Sequence, residues 1–130
     1  MARASLTPLL LTADSSATSL SGTAASAQGT VTTGAGNGCT FSNAPLGQVL
    51  LLVNATANGT AGTATVFIGQ TIGGQTVTSF SVPLTSTALN VIGPFHAALD
   101  SPGTTTVTVD FTFTGASTIT AGAITIPGVY

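Results

Sequence analysis

Thr106-Val107-Thr108-Val109-Asp110-Phe111-Thr112-Phe113-Thr114 is the stretch on which the fold turns. Val107, Val109, Phe111 and Phe113 share one parity; Thr106, Thr108, Asp110, Thr112 and Thr114 share the other. A period of two places these sets on opposite faces of a pleated strand, one buried and one outward, with Asp110 among the outward residues. Working outward, the same chemistry recurs. Gln48 to Asn54 holds the unbroken run Val49-Leu50-Leu51-Leu52-Val53, short enough for a strand buried on both faces. Asn54 to Gly62 is a hairpin-type connection, Thr63 to Gly69 a second strand, and Gly73-Gly74 a turn before a third strand over Gln75 to Leu84. There Phe80, Val82 and Leu84 lie on one face and Val77 on the other, which predicts a bulge or twist. Pro83 suits a strand end or an edge. Residues 118–126 form a last strand, in which Gly122 marks a change of face.

No segment carries a helical period of useful length. Short strands separated by Gly, Pro and Asn predict an all-β chain: an antiparallel β-sandwich or small barrel, with jelly-roll and immunoglobulin-like strand orders both open. Residues 36–130 read as this domain. Residues 1–35 read as an extended N-terminal arm and a Ser/Ala/Thr/Gly-rich segment, either holding short edge strands around Leu20 and Val31 or ordering only against a neighbour. An apolar stretch, Leu9-Leu10-Leu11, lies within the arm. The run Leu6–Ala13 is too short and too interrupted by Pro8 for a signal peptide. No apolar run reaches the length of a membrane helix.

Charge is nearly absent. The 130 residues hold one Lys or Arg and three Asp or Glu, namely Arg3, Asp14, Asp100 and Asp110. Soluble domains usually carry about a quarter of their residues as charges. A chain with so little charge to keep its copies apart is expected to give much of its surface to partners, as a subunit of an assembly. One basic residue cannot support nucleic-acid or anionic-lipid binding, so neither nucleic acid nor membrane is an expected partner. The single Cys39 excludes an internal disulfide. The sequons at Asn54 and Asn58 matter only in a eukaryotic secretory setting.

The titratable inventory is equally thin. Cys39 and His96 would need hydrogen-bond reach and an oxyanion hole to act as a nucleophile pair, and nothing local supplies them. Cys39 reads as a small apolar core residue, His96 as a surface or interface residue. Asp100-Ser101-Pro102-Gly103 has turn composition. No H-x-H, C-x-x-C or D-x-D spacing exists, so no metal, cofactor or catalytic residue is assigned. Gly34-Ala35-Gly36-Asn37-Gly38 has the look of a phosphate loop but lacks the following Lys and the helix. With no Trp and one Tyr, a glycan-binding surface lacks its stacking residues.

Two motifs carry a resemblance. Gly38-Cys39-Thr40-Phe41-Ser42-Asn43 followed by the strand ending Val53-Asn54, and then Ile92-Gly93-Pro94-Phe95, resemble the G-x-T-F-x-N and I-G-P-F elements of a family of small tailed-phage virion proteins. These are head decoration or minor capsid proteins. The resemblance covers about residues 36–126; residues 14–35 have no counterpart in it. It implies a small β-sandwich attached to the outer capsid surface, with the major capsid protein as partner. A homo-oligomer is also expected, a trimer at local three-fold axes being attractive because closed symmetry hides strand edges. The resemblance also implies that Gly93 and Pro94 turn the chain while Phe95 plugs one end of the sandwich. The residues expected to contact the capsid are Leu9, Leu10 and Leu11. On that expectation, removing residues 1–13 abolishes attachment and leaves the sandwich folded. Rival expectations are a tail or fibre module binding a host glycan, and a self-assembling extracellular fibre or surface-layer subunit.

Overall fold

A computed structural model describes residues 3–10, 29–43, 48–55, 62–95, 104–114 and 118–126. Ten strands run through them: β1 Ala4–Leu6, β2 Leu9–Leu10, β3 Gly29–Thr32, β4 Cys39–Ser42, β5 Val49–Asn54, β6 Gly62–Ile72, β7 Gln75–Leu84, β8 Leu89–Ile92, β9 Thr106–Phe113 and β10 Thr118–Thr125. No helix occurs among the described residues. One sheet has the order β1-β4-β9-β6-β7, the other β2-β10-β5-β8, with β3 also on β10. Two separate sheets make this a sandwich rather than a closed barrel. Taken without the first two strands, the orders β4-β9-β6-β7 and β3-β10-β5-β8 are those of a jelly roll, in which the chain passes repeatedly between sheets. The immunoglobulin-like alternative is set aside by that order.

The core follows from parity. Val107, Val109 and Phe111 are fully buried and Phe113 nearly so, facing Val49, Leu51 and Val53 of β5 and Ile119, Ala121 and Ala123 of β10 within one cluster. The opposite parity of β5 is apolar too. Leu52 and Ile124 are buried in a second cluster against Leu9, Leu50 and Leu89. The Val49–Val53 run is therefore unbroken because both of its faces are covered. Alternation survives in β9, where outward Thr112 is exposed and Thr106 and Thr108 are half-buried, while Asp110 is covered.

The β6–β7 hairpin turns on Gly73 and Gly74, both at positive φ (58° and 81°), as a two-residue turn matched to strand twist requires. Its register shifts between Phe67 and Gln70. Across that shift Val77 joins Phe80 and Val82 against the core despite its opposite parity, the irregularity expected from the sequence. β9 accompanies β6 only as far as the Phe67–Thr108 pair, so the distal part of the hairpin runs on as a two-stranded ribbon.

The first strands take both sheets. β1 lies parallel to β4, with Leu6 beside Phe41; β2 lies parallel to β10, with Leu9 beside Ile124. Thr7 and Pro8 cross from one sheet to the other. Described residues 3–10 are thus strands of the sandwich itself, where the sequence suggested an extended arm. Leu6 is only 3% exposed, so removing residues 1–13 would take a strand from each sheet and cannot leave the sandwich intact. Around Val31 the first of the two readings left open by the sequence holds: β3 is a short edge strand, antiparallel to β10. Leu11, Asp14 and Leu20 lie outside the described residues.

Candidate functional site: the two ends of strand β4

At the start of β4 the chain closes over a carboxylate. The side chain of Asp110 projects from the outer face of its sheet, yet the residue is 5% exposed. Arg3 Nε donates to its Oδ1 at 2.9 Å and Arg3 Nη2 to its Oδ2 at 3.1 Å. The Gly36 amide donates to Oδ2 at 2.8 Å. A bidentate guanidinium plus a backbone N–H gives a charged acceptor most of the partners that burial demands. The guanidinium also lies over the Phe67 ring, 5.7 Å from its centroid.

The loop that delivers the Gly36 amide is tied to β9, to β3 and to itself. Gly34 N donates to Phe111 O at 2.8 Å, Gly38 N to Thr32 O at 3.0 Å, and Asn37 Nδ2 to Thr33 O at 3.2 Å. Gly38 has φ +100°, and a Cβ there would sit 2.2 Å from Val109 O and 2.8 Å from the Asp110 Cα. Glycine is required on both counts. The segment that looked like a phosphate loop cradles an anion after all, but one belonging to the chain.

Cys39 follows at once, fully buried. Burial, reinforced by the Asp110 carboxylate and opposed by Arg3, pushes its thiol up to about 12. A thiolate nucleophile needs the opposite environment.

At the far end of β4 the two motifs meet. Phe41 and Phe95 pack edge to face, with centroids 5.3 Å apart and planes at 68°. Asn43, fully buried, donates from Nδ2 to Phe95 O at 3.1 Å and from its backbone N to Thr105 O at 2.7 Å. Phe95 N in turn donates to Val49 O at 3.4 Å. Gly93 sits at φ +125° before a cis bond to Pro94. A Cβ on Gly93 would come 3.0 Å from Val49 O. The Gly38–Asn43 and Ile92–Phe95 segments thus meet in one joint between the sheets, and Phe95 is buried within it.

Leu9 packs against Leu52 and Ile124 of its own chain. Leu10 pairs with Thr125, and Leu11 lies outside the described residues, as do His96, Asp100 and Tyr130. Among the described residues no group of three His, Cys, Asp or Glu is placed to hold a metal ion. An open groove of about 310 Å³ beside β1 is lined chiefly by the hydroxyl residues Ser5, Thr7, Thr40, Ser42 and Thr106. The sequence reading missed the Arg3–Asp110 pair. The only signal for it was that a chain with four charges had placed one in the middle of its best strand.

No protein-family model, no curated protein and no solved structure matches the chain.

Proposed function

We propose that this chain is a non-enzymatic structural protein of a phage virion, a capsid decoration protein that binds the major capsid protein at the outer head surface and cements it. One observation carries the reading. Among the described residues the only charges, Arg3 and Asp110, are paired with each other, and the surface they leave is neutral: hydroxyls on one sheet, and Leu50, Leu89 and the 53%-exposed Val91 on the other. Such a surface suits contact by burial and hydroxyl pairing rather than ion pairs. The covered Cys39 thiol, held protonated, fits a role without covalent chemistry. The jelly roll is compatible with this role and does not select it, since folds host many functions. The motif resemblance supplies the choice of a capsid as partner.

The mechanism is passive: contacts made only in the assembled shell stabilise that shell by mass action. Imaging particles made with and without the chain tests it. Density on the outer capsid surface is expected only when the chain is present, and attachment should change little with salt. Shells without such density overturn the reading. A glycan-binding role is not favoured, because all six Phe are described and none is exposed. A self-assembling surface subunit is favoured by one feature, the open edge of β7, and purified chain forming fibres without any capsid would support it.

A further inference from the structure

β7 stands at the end of its sheet, and no described strand pairs with its outer edge. The other edge strands are short: three residues in β1, two in β2, four in β3 and four in β8. β7 has ten, in the sequence Gln-Thr-Val-Thr-Ser-Phe-Ser-Val-Pro-Leu. Proteins guard long edges with lysines, inward charges or prolines. This edge has no charge at all, and its one proline, Pro83, stands at its far end.

The adjoining ribbon is also short of partners. Pairs Gln70–Val77, Thr71–Thr76 and Ile72–Gln75 lie beyond the reach of β9, so roughly 17 Å of hairpin beyond Phe67 has only two strands. A two-stranded ribbon is marginal in water and gains stability from a third. The chain offers none among its described strands, all of which are engaged elsewhere.

We propose that the free edge of β7 is a self-association interface, at which a second copy of this chain adds its own β7 antiparallel across a two-fold axis. The edge is self-compatible because neither copy brings a charge to it. An isologous contact also closes on itself rather than extending into a fibre. An axis at Thr78 sets Gln75 opposite Ser81 and Val77 opposite Ser79, keeps Pro83 out of the paired segment, and gives each ribbon its third strand. The two five-stranded sheets then run on as one. This pairing concerns copies of the chain and stands whether or not they decorate a capsid.

Light scattering on the eluted full-length chain tests it. Wild type is expected at the mass of two chains. Thr78 is exposed, and Thr78→Lys sets two ammonium groups against each other at the axis, so that variant should elute as one chain with an unchanged circular dichroism spectrum. Thr78→Glu should do the same. An equimolar mixture of the two variants should return to two-chain mass, because opposite charges then face each other. Thr112→Lys adds the same charge at an exposed site on β9 and should leave the pair intact. Single-chain wild type, a Thr78→Lys variant that stays paired, or a mixture that stays apart each overturns the proposal. Ser79→Lys, whose ammonium meets that of the other copy diagonally across the axis, serves as a second blocking variant should Thr78→Lys fail to fold.

Discussion

The two ends of β4 are three positions apart and hold the sandwich by different physics. At the Cys39 end a charged pair and a glycine loop close over the outer face; at the Ser42 end an aromatic pair and one amide close the gap between sheets. The Asp110 end has directional partners but keeps Arg3 partly in water, its side chain 30% exposed. The Phe95 end is uncharged, and Phe41, Asn43 and Phe95 are all buried there. Burial of a large ring is worth several kcal/mol, whereas a partly hydrated ion pair is worth far less. The aromatic joint is therefore expected to be the stronger of the two.

Substitutions can break that ranking. Phe95→Ala should have the largest effect, about 3–5 kcal/mol of unfolding free energy in a urea titration, because it empties a buried site and removes the edge contact with Phe41. An equal or smaller loss than at the Asp110 end would reverse the comparison. Gly38→Ala should follow at about 2 kcal/mol or more, since its Cβ meets backbone that cannot move aside and its φ is unfavourable. Arg3→Ala should cost about 2 kcal/mol by stranding a covered carboxylate. The double variant Arg3→Ala/Asp110→Ala should cost less than that single, and a double-mutant cycle reads the coupling. Additive losses would mean that the pair contributes nothing as a pair.

The smallest effect at neutral pH belongs to Cys39. Its thiol ionises near 9.0 in an open chain and near about 12 when folded. Between those values the unfolded chain releases a proton that the folded chain keeps, so stability is complete below pH 9 and falls as pH rises towards 12. Cys39→Ala should flatten that alkaline limb. Native protein should also leave the thiol unreacted with a thiol reagent at pH 8 until denaturant is added.

Much of the sandwich was legible locally. The alternation of β9, the doubly covered run of β5 and the irregularity near Val77 are each written within a single strand, where side-chain period alone decides the face. The N-terminal segment was not, because its partners lie far away: Leu6 rests beside Phe41, and Leu9 beside Ile124. No local pattern distinguishes a leucine that waits for the last strand from one on a free arm. Asp110 failed for the same reason. Its parity was right, but the loop that covers it comes from residues 34–38, and only folding brings Gly36 to its carboxylate. The two motifs were visible as short words, and their meaning as a joint appeared only once Phe41, Asn43 and Phe95 were seen together.

The strand orders carry a consequence for synthesis. β9 sits between β4 and β6, and β10 between β3 and β5, so the strand that joins the halves of each sheet is made after the strands on either side of it. Until Thr106–Thr125 has emerged, neither sheet has the strand that joins its halves, and β1 to β8 must wait for it. Folding by such distant pairings is slow, and a nascent chain this poor in charge has little to hold it apart from its neighbours meanwhile. Completion of either sheet thus waits on β9 and β10 rather than on any earlier strand.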